Sequence, residues 1–163
     1  MTEQTEQTEQ TEKTELRIRV LMTAAQEMLR RDGSLISALF MFDEQDSCLF
    51  IAGLAYGSNE EKYQMVRLTG REAGKRGLAV VRALLVSDAW MRTLEPDQPE
   101  QRIEVIMGVE LPRGGKPLGM FCPYKRDAAG DVTGFEEVQY MEGVVDDWLL
   151  KEFYLGMDEG EAA

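Results

Sequence analysis

Apolar positions along the chain fall into blocks of two rhythms, one helical and one strand-like, divided by short polar turns. From Leu16 to Arg31, Leu21, Ala24, Ala25, Met28 and Leu29 recur at helical spacing. Arg30 and Arg31 suit the negative end of the helix dipole, and Gly33 supplies a terminator. The runs LISALFMF (35–42) and CLFIAGLAY (48–56) flank the polar turn DEQDS, which predicts a β-hairpin. Both runs are apolar on both faces, so the pattern predicts inner strands covered on each side.

A second helix is predicted from Ser58, where Ser58-x-x-Glu61 fits a capping box. Its inner stripe reads Tyr63, Val66, Gly70, Ala73, Gly74 and Gly77, small enough for its backbone to lie close against a sheet. LAVVRALLVSDAWM (78–91) has strand composition. RIEVIMGVEL (102–111) alternates, with Ile103, Val105, Met107, Val109 and Leu111 on one face and Arg102, Glu104, Ile106, Gly108 and Glu110 on the other. PRGG turns the chain into KPLGMFCPYKR (116–126), whose Pro117 and Pro123 suit an edge or irregular strand, and GFEEVQ adds a short strand or leads on. A closing helix over Tyr140–Leu155 carries Val144, Val145, Trp148 and Leu149 inward. The order α-β-β-α-β-β-β-α predicts an α+β fold: a mostly antiparallel sheet of five or six strands with helices packed on it.

Residues 2–15 read TEQTEQTEQTEKTE, a repeat of three with no apolar side chain. Ordering it would cost entropy with nothing buried in return, which predicts a disordered acidic tail over 1–15. A single α+β domain over 16–157 and a disordered C-terminus over 158–163 complete the expected organisation. At 163 residues with 44% apolar content, the chain suffices for one domain with a core. No apolar run approaches the ~18 to 20 residues of a membrane span, and no basic segment leads into an apolar one at the N-terminus, which predicts a cytoplasmic protein.

Composition narrows the chemistry. The chain has no histidine, which removes Ser-His-Asp and Cys-His catalysis, imidazole proton shuttling and His-containing zinc sites. Its two cysteines, Cys48 and Cys122, sit apart inside apolar runs, where reduced, buried thiols are expected. Ten methionines read as core filler or an adaptable binding surface. A formal charge of -12 disfavours a nucleic-acid partner and permits a basic protein one. TGREAGKRG (69–77) has three residues between Gly70 and Gly74, and Arg76 after Lys75, so it lacks the spacing of a phosphate loop. The element order α-β-β-α-β is similar to that of zinc nucleotide deaminases, but their H-x-E and P-C-x-x-C motifs are missing.

What remains is a cluster of candidates. Asp88 and Glu104 lie on adjacent predicted strands, where two carboxylates could share a divalent cation. The alternative is that Glu104 pairs with Arg82 or another cation across the sheet, with Trp90 as a core anchor. Glu110 is six residues from Glu104, about 20 Å at extended rise, too far to share one ion. Asp88-Ala89-Trp90, Pro96, Pro99, Arg102 and Glu104 together resemble a pattern in uncharacterised bacterial and phage-type proteins. The resemblance covers about 20 residues and implies that Trp90, Arg102 and Glu104 form a structural or binding cluster. Asp88 stands where that pattern has Glu.

These exclusions favour a small acidic protein without catalytic activity or cofactor, acting by protein–protein contact and associating with itself as a homodimer. The alternation of 103–111 offers a strand that could extend a sheet across such a dimer. A carboxylate-based metal-binding protein or hydrolase using Asp88 and Glu104 is the competing reading. An acidic mimic of nucleic acid that occupies a basic protein is the third.

Overall fold

The structure, a computed structural model, describes residues 2–93, 97, 99, 101–141 and 148–163. Pro96, Val144 and Val145, named above, lie outside the described residues. The elements follow as α1 (Glu3–Asp32), β1 (Ser37–Phe42), β2 (Cys48–Leu54), α2 (Asn59–Lys75), β3 (Arg82–Thr93), β4 (Gln101–Pro112), β5 (Leu118–Arg126), β6 (Val132–Phe135), β7 (Gln139–Tyr140) and α3 (Trp148–Ala162). The strands form one antiparallel sheet in the order β2-β1-β3-β4-β5-β6, with β7 also on β5. The fold is α+β, as the pattern predicts.

Helices cover both faces of this sheet. α1 lies on one, where Ile18, Met22, Ala25 and Leu29 pack on Leu84, Val86, Ile106, Met120 and Cys122. The face of β4 carrying Ile106, Gly108 and Glu110 is thus buried, although the alternation makes it the more polar of the two. Gly108 explains how α1 comes so near: a β-carbon there would lie 2.7 Å from Ile18 Cγ2. On the other face, Leu150, Phe153 and Met157 of α3 join Val66 and Ala73 of α2 over Leu39, Met41, Leu85 and Val109.

The glycines of α2 serve a helix rather than a sheet. Gly70 and Gly74 meet the α3 backbone at Phe153 and Met157, while Gly156 and Gly160 of α3 meet the α2 backbone at Arg67 and Arg71. Positions climb together on both helices, so the two run parallel, each filling the other's gap. A β-carbon at Gly70 would overlap the Phe153 carbonyl. Arg67 ties the same pair together outside, bonding Glu152 and Glu159. Because α3 begins at Trp148 and continues to Ala162, the segment 158–163, where the sequence pattern gives a disordered end, is mostly helical. Trp148 is 57% exposed rather than turned inward.

Two further elements differ from the pattern. α1 begins at Glu3, so the TEQ repeat is helical where a disordered tail is expected. Its anchor is polar: Thr14 is buried, Gln10 Oε1 accepts from Arg82 Nη2 at 2.9 Å, and Lys13 reaches Asp46. Helix extends backward from such an anchor at little cost, since propagation avoids a second nucleation. β2, expected inside the sheet, is its edge. Conversely β4, read as a strand able to bridge a dimer, is paired on both sides, by β3 and β5.

Local chemistry fixes the connections. Ser58 caps α2, accepting from Glu61 N at 3.2 Å, while Glu61 Oε2 reaches back to Gly57 N at 2.7 Å. In the β1–β2 turn Asp43 Oδ1 accepts from Gln45 N and Ser47 N. Asp127 does the same for Ala129 N and Asp131 N in the β5–β6 turn. The second turn uses Gly130 for its left-handed position (φ 88°), whereas the first uses Asp46 (φ 61°).

Candidate functional site

Antiparallel register brings the four candidate residues of the sequence pattern onto one face of the sheet. Trp90 lies opposite Glu104, Arg92 opposite Arg102, and Asp88 opposite Ile106. Ile106 and Val86 belong to the layer under α1, so Asp88, Trp90, Arg102 and Glu104 share that side. Asp88 and Glu104 are therefore diagonal neighbours, about 7–8 Å apart between Cα atoms.

Their side chains do not build a common centre. Glu104 accepts from Arg126 Nε at 2.9 and 3.2 Å, and from the Tyr124 hydroxyl at 3.5 Å. Arg126 also donates through Nη1 to the Gly33 carbonyl at the C-terminus of α1 and to Gly130, both at 3.0 Å. Glu104 thus orients a clasp that ties α1 to the β5–β6 turn. Burial, and then the neighbouring Glu104 carboxylate, raise the Tyr124 hydroxyl above its ordinary pKa. Trp90 is 65% exposed, so it is not a core anchor. Asp88 and Arg102 are exposed as well. Among the described residues no three of His, Cys, Asp and Glu gather as a metal site.

Arg82 instead belongs to a network that sequence reasoning missed. Glu110 has no exposed surface and receives Arg17 through both oxygens, at 2.7 and 3.2 Å. Asp46 Oδ1 bonds Arg17 Nη1 at 3.2 Å and Arg82 Nη1 at 3.1 Å. Arg82 Nε lies 3.8 Å from Glu110. Cations and carboxylates alternate around this cluster, joining α1, the β1–β2 turn, β3 and β4. A cleft of about 690 Å³ opens beside it, lined by Gln7, Gln10, Thr14, Arg82, Glu110 and Lys116. The charges at its floor bond each other, which suits a structural clamp. The only sequence sign was Glu110 on a strand face carrying Ile106 and Gly108, which marks that face as covered.

The third feature is the sheet edge. β2, CLFIAGL, carries no charge, and its outer side is unpaired among the described residues. Phe50 is 45% and Ile51 56% exposed. Cys48 is exposed too, contrary to the buried thiol expected, while Cys122 is buried and its thiol pushed up by that burial. Between β2 and α2 runs an apolar groove of about 290 Å³, lined by Met41, Phe50, Ala52, Leu68, Ala73 and Leu78. Exposed Leu68 widens the apolar strip onto α2. A bare strand edge next to an apolar groove can accept another strand and one of its side chains.

No helix among the described residues is long and apolar enough to cross a membrane. In comparisons with known proteins, the chain matches no family model, no curated protein and no solved structure.

Proposed function

We propose that this protein works without catalysis, by protein–protein contact, and that the contact is strand addition at β2. The carrying observation is the edge itself: seven uncharged residues with Phe50 and Ile51 exposed. Edge strands of this kind promote pairing, and proteins that must avoid it place Lys, Pro or bulges along them. β2 has neither Lys nor Pro, and its single irregularity lies at its start, opposite Met41 and Phe42. Added strands gain main-chain hydrogen bonds for affinity and pockets for alternate side chains for specificity. The groove beside Phe50 offers such a pocket.

Self-association as a homodimer and capture of a basic protein both fit this mode. A charge of -12 adds long-range attraction to the second without supplying a basic-specific surface at β2. Amide hydrogen exchange tests the contact: the outward amides of 48–54 should gain protection when the partner, or concentrated protein, is present. Protection that rises elsewhere, with β2 unchanged, would remove the proposal.

A further inference from the structure

Building on the strand-addition reading, we infer that the partner at β2 is a second copy of this chain, paired antiparallel about a two-fold axis at Ile51. The two edges of the sheet differ in kind. Opposite β2, the outer side of β5 is shared by β6, four residues long, and β7, two residues long, with a register shift between Lys125 and Arg126. A head-to-tail array would have to lay β2 on that broken edge. Pairing β2 with β2 uses twice the longer edge, whose one bulge lies at its start, and closes after two copies.

Register follows from length. Only one antiparallel arrangement pairs all seven residues of Cys48–Leu54 with their counterparts. It sets Ile51 opposite Ile51 and Phe50 opposite Ala52 of the other copy. Phe50 and Ala52 both line the apolar groove, so the two grooves merge across the axis and each copy's Phe50 covers the other's opening.

Charge permits this register along the strand. The strand itself is neutral, so two chains of net charge -12 meet where neither carries charge. The acidic turn of each copy, Asp43–Ser47, runs alongside residues 55–59 of the other. There Lys62, its ammonium 4.8 Å from the Tyr56 ring centre, follows the exposed Glu60 and Glu61 of the first turn of α2. Glu44, exposed at the tip of that turn, is attracted by Lys62 and repelled by Glu60 and Glu61, so the neutral strand holds the contact and these flanks weaken it.

Area sets the strength. Seven residues span about 23 Å, and with the groove the footprint is roughly 500 Å² per copy, below the ~800 Å² of a standard interface. A contact this small suits a weak, transient dimer, with dissociation on the order of micromolar or weaker.

Sedimentation velocity from about 2 to 500 μM tests the inference, a range that reaches well above micromolar dissociation. The wild type should move from monomer to dimer and stop there. Ile51→Lys, at an exposed position, should stay monomeric with an unchanged circular dichroism spectrum, whereas Asp131→Lys at the far edge should dimerise like wild type. A wild type monomeric throughout, assembly beyond two copies, or dimerisation that survives Ile51→Lys would overturn the inference. A synthetic extended Val/Thr-alternating peptide separates the two levels. If the wild type stays monomeric yet the peptide protects the β2 amides, the second copy is excluded and strand addition stands. If neither occurs, both fall.

Discussion

Arg17 Nη2 lies 2.7 Å from Oε1 of Glu110, a carboxylate with no exposed surface beneath a half-buried helix. An ion pair this deep is a fixed commitment. Its attraction offsets the cost of burial, so its net contribution is modest, but either partner alone leaves a stranded charge. Arg17→Ala and Glu110→Ala should each cost about 3–5 kcal/mol, measured by urea unfolding. Replacing the pair together, Arg17→Met with Glu110→Leu, should cost far less. Equal losses in single and double variants would show that the pair is not the source.

Asp46 occupies a left-handed position in the β1–β2 turn, where glycine would be relaxed and where the equivalent turn has Gly130. Its carboxylate bridges Arg17 and Arg82 instead. Asp46→Gly should therefore destabilise by about 1–2 kcal/mol despite easing the backbone, because the lost charge-assisted bonds outweigh the relief. A stabilised variant would mean that the turn conformation, not the bridge, governs this position.

The parallel pairing of α2 and α3 depends on four glycines in mutual contact. Gly70→Ala and Gly156→Ala gain about 1 kcal/mol of helix propensity yet should lower stability by roughly 3 kcal/mol, because each new methyl meets backbone that cannot yield. Gly134→Ala, with open space around it, is the control and should stay near wild type in thermal melts. Wild-type-like melting of Gly70→Ala would refute the close contact.

Thiol chemistry should divide the two cysteines. Cys48 is exposed, whereas Cys122 is buried, its Sγ 3.2 Å from the Glu136 carbonyl and its thiol raised by burial. A raised pKa means less thiolate at neutral pH, so iodoacetamide should label Cys48 and spare Cys122 in folded protein. Mass spectrometry that finds both labelled at similar rates would contradict the packing of β5 under α1.

Strands, turns and capping were readable because each rests on local chemistry: the alternation of 103–111, the DEQDS turn, the Ser58–Glu61 box. Tertiary choices were not. CLFIAGL is as apolar as an inner strand, and nothing within it says that one side lacks a neighbour. The small residues of α2 announced close approach, but only the matching Gly156 and Gly160 identify a helix as the partner. The partner of Glu110 was not legible, because its cation, Arg17, comes from 93 positions away. Among the predicted site residues, Asp88, Trp90, Arg102 and Glu104 share a face as register requires, yet Glu104 went to Arg126, beyond the reach of any short motif.

Disulfide trapping tests the central claim most directly. With Cys48→Ser and Ile51→Cys, the two-fold register places the new thiols opposite each other, within bridging distance for a cross-strand pair. Mild oxidation should give a covalent dimer in high yield, while Asp131→Cys in the same background should give little. Comparable trapping at both positions, or none at residue 51, would contradict pairing of β2 with its own copy.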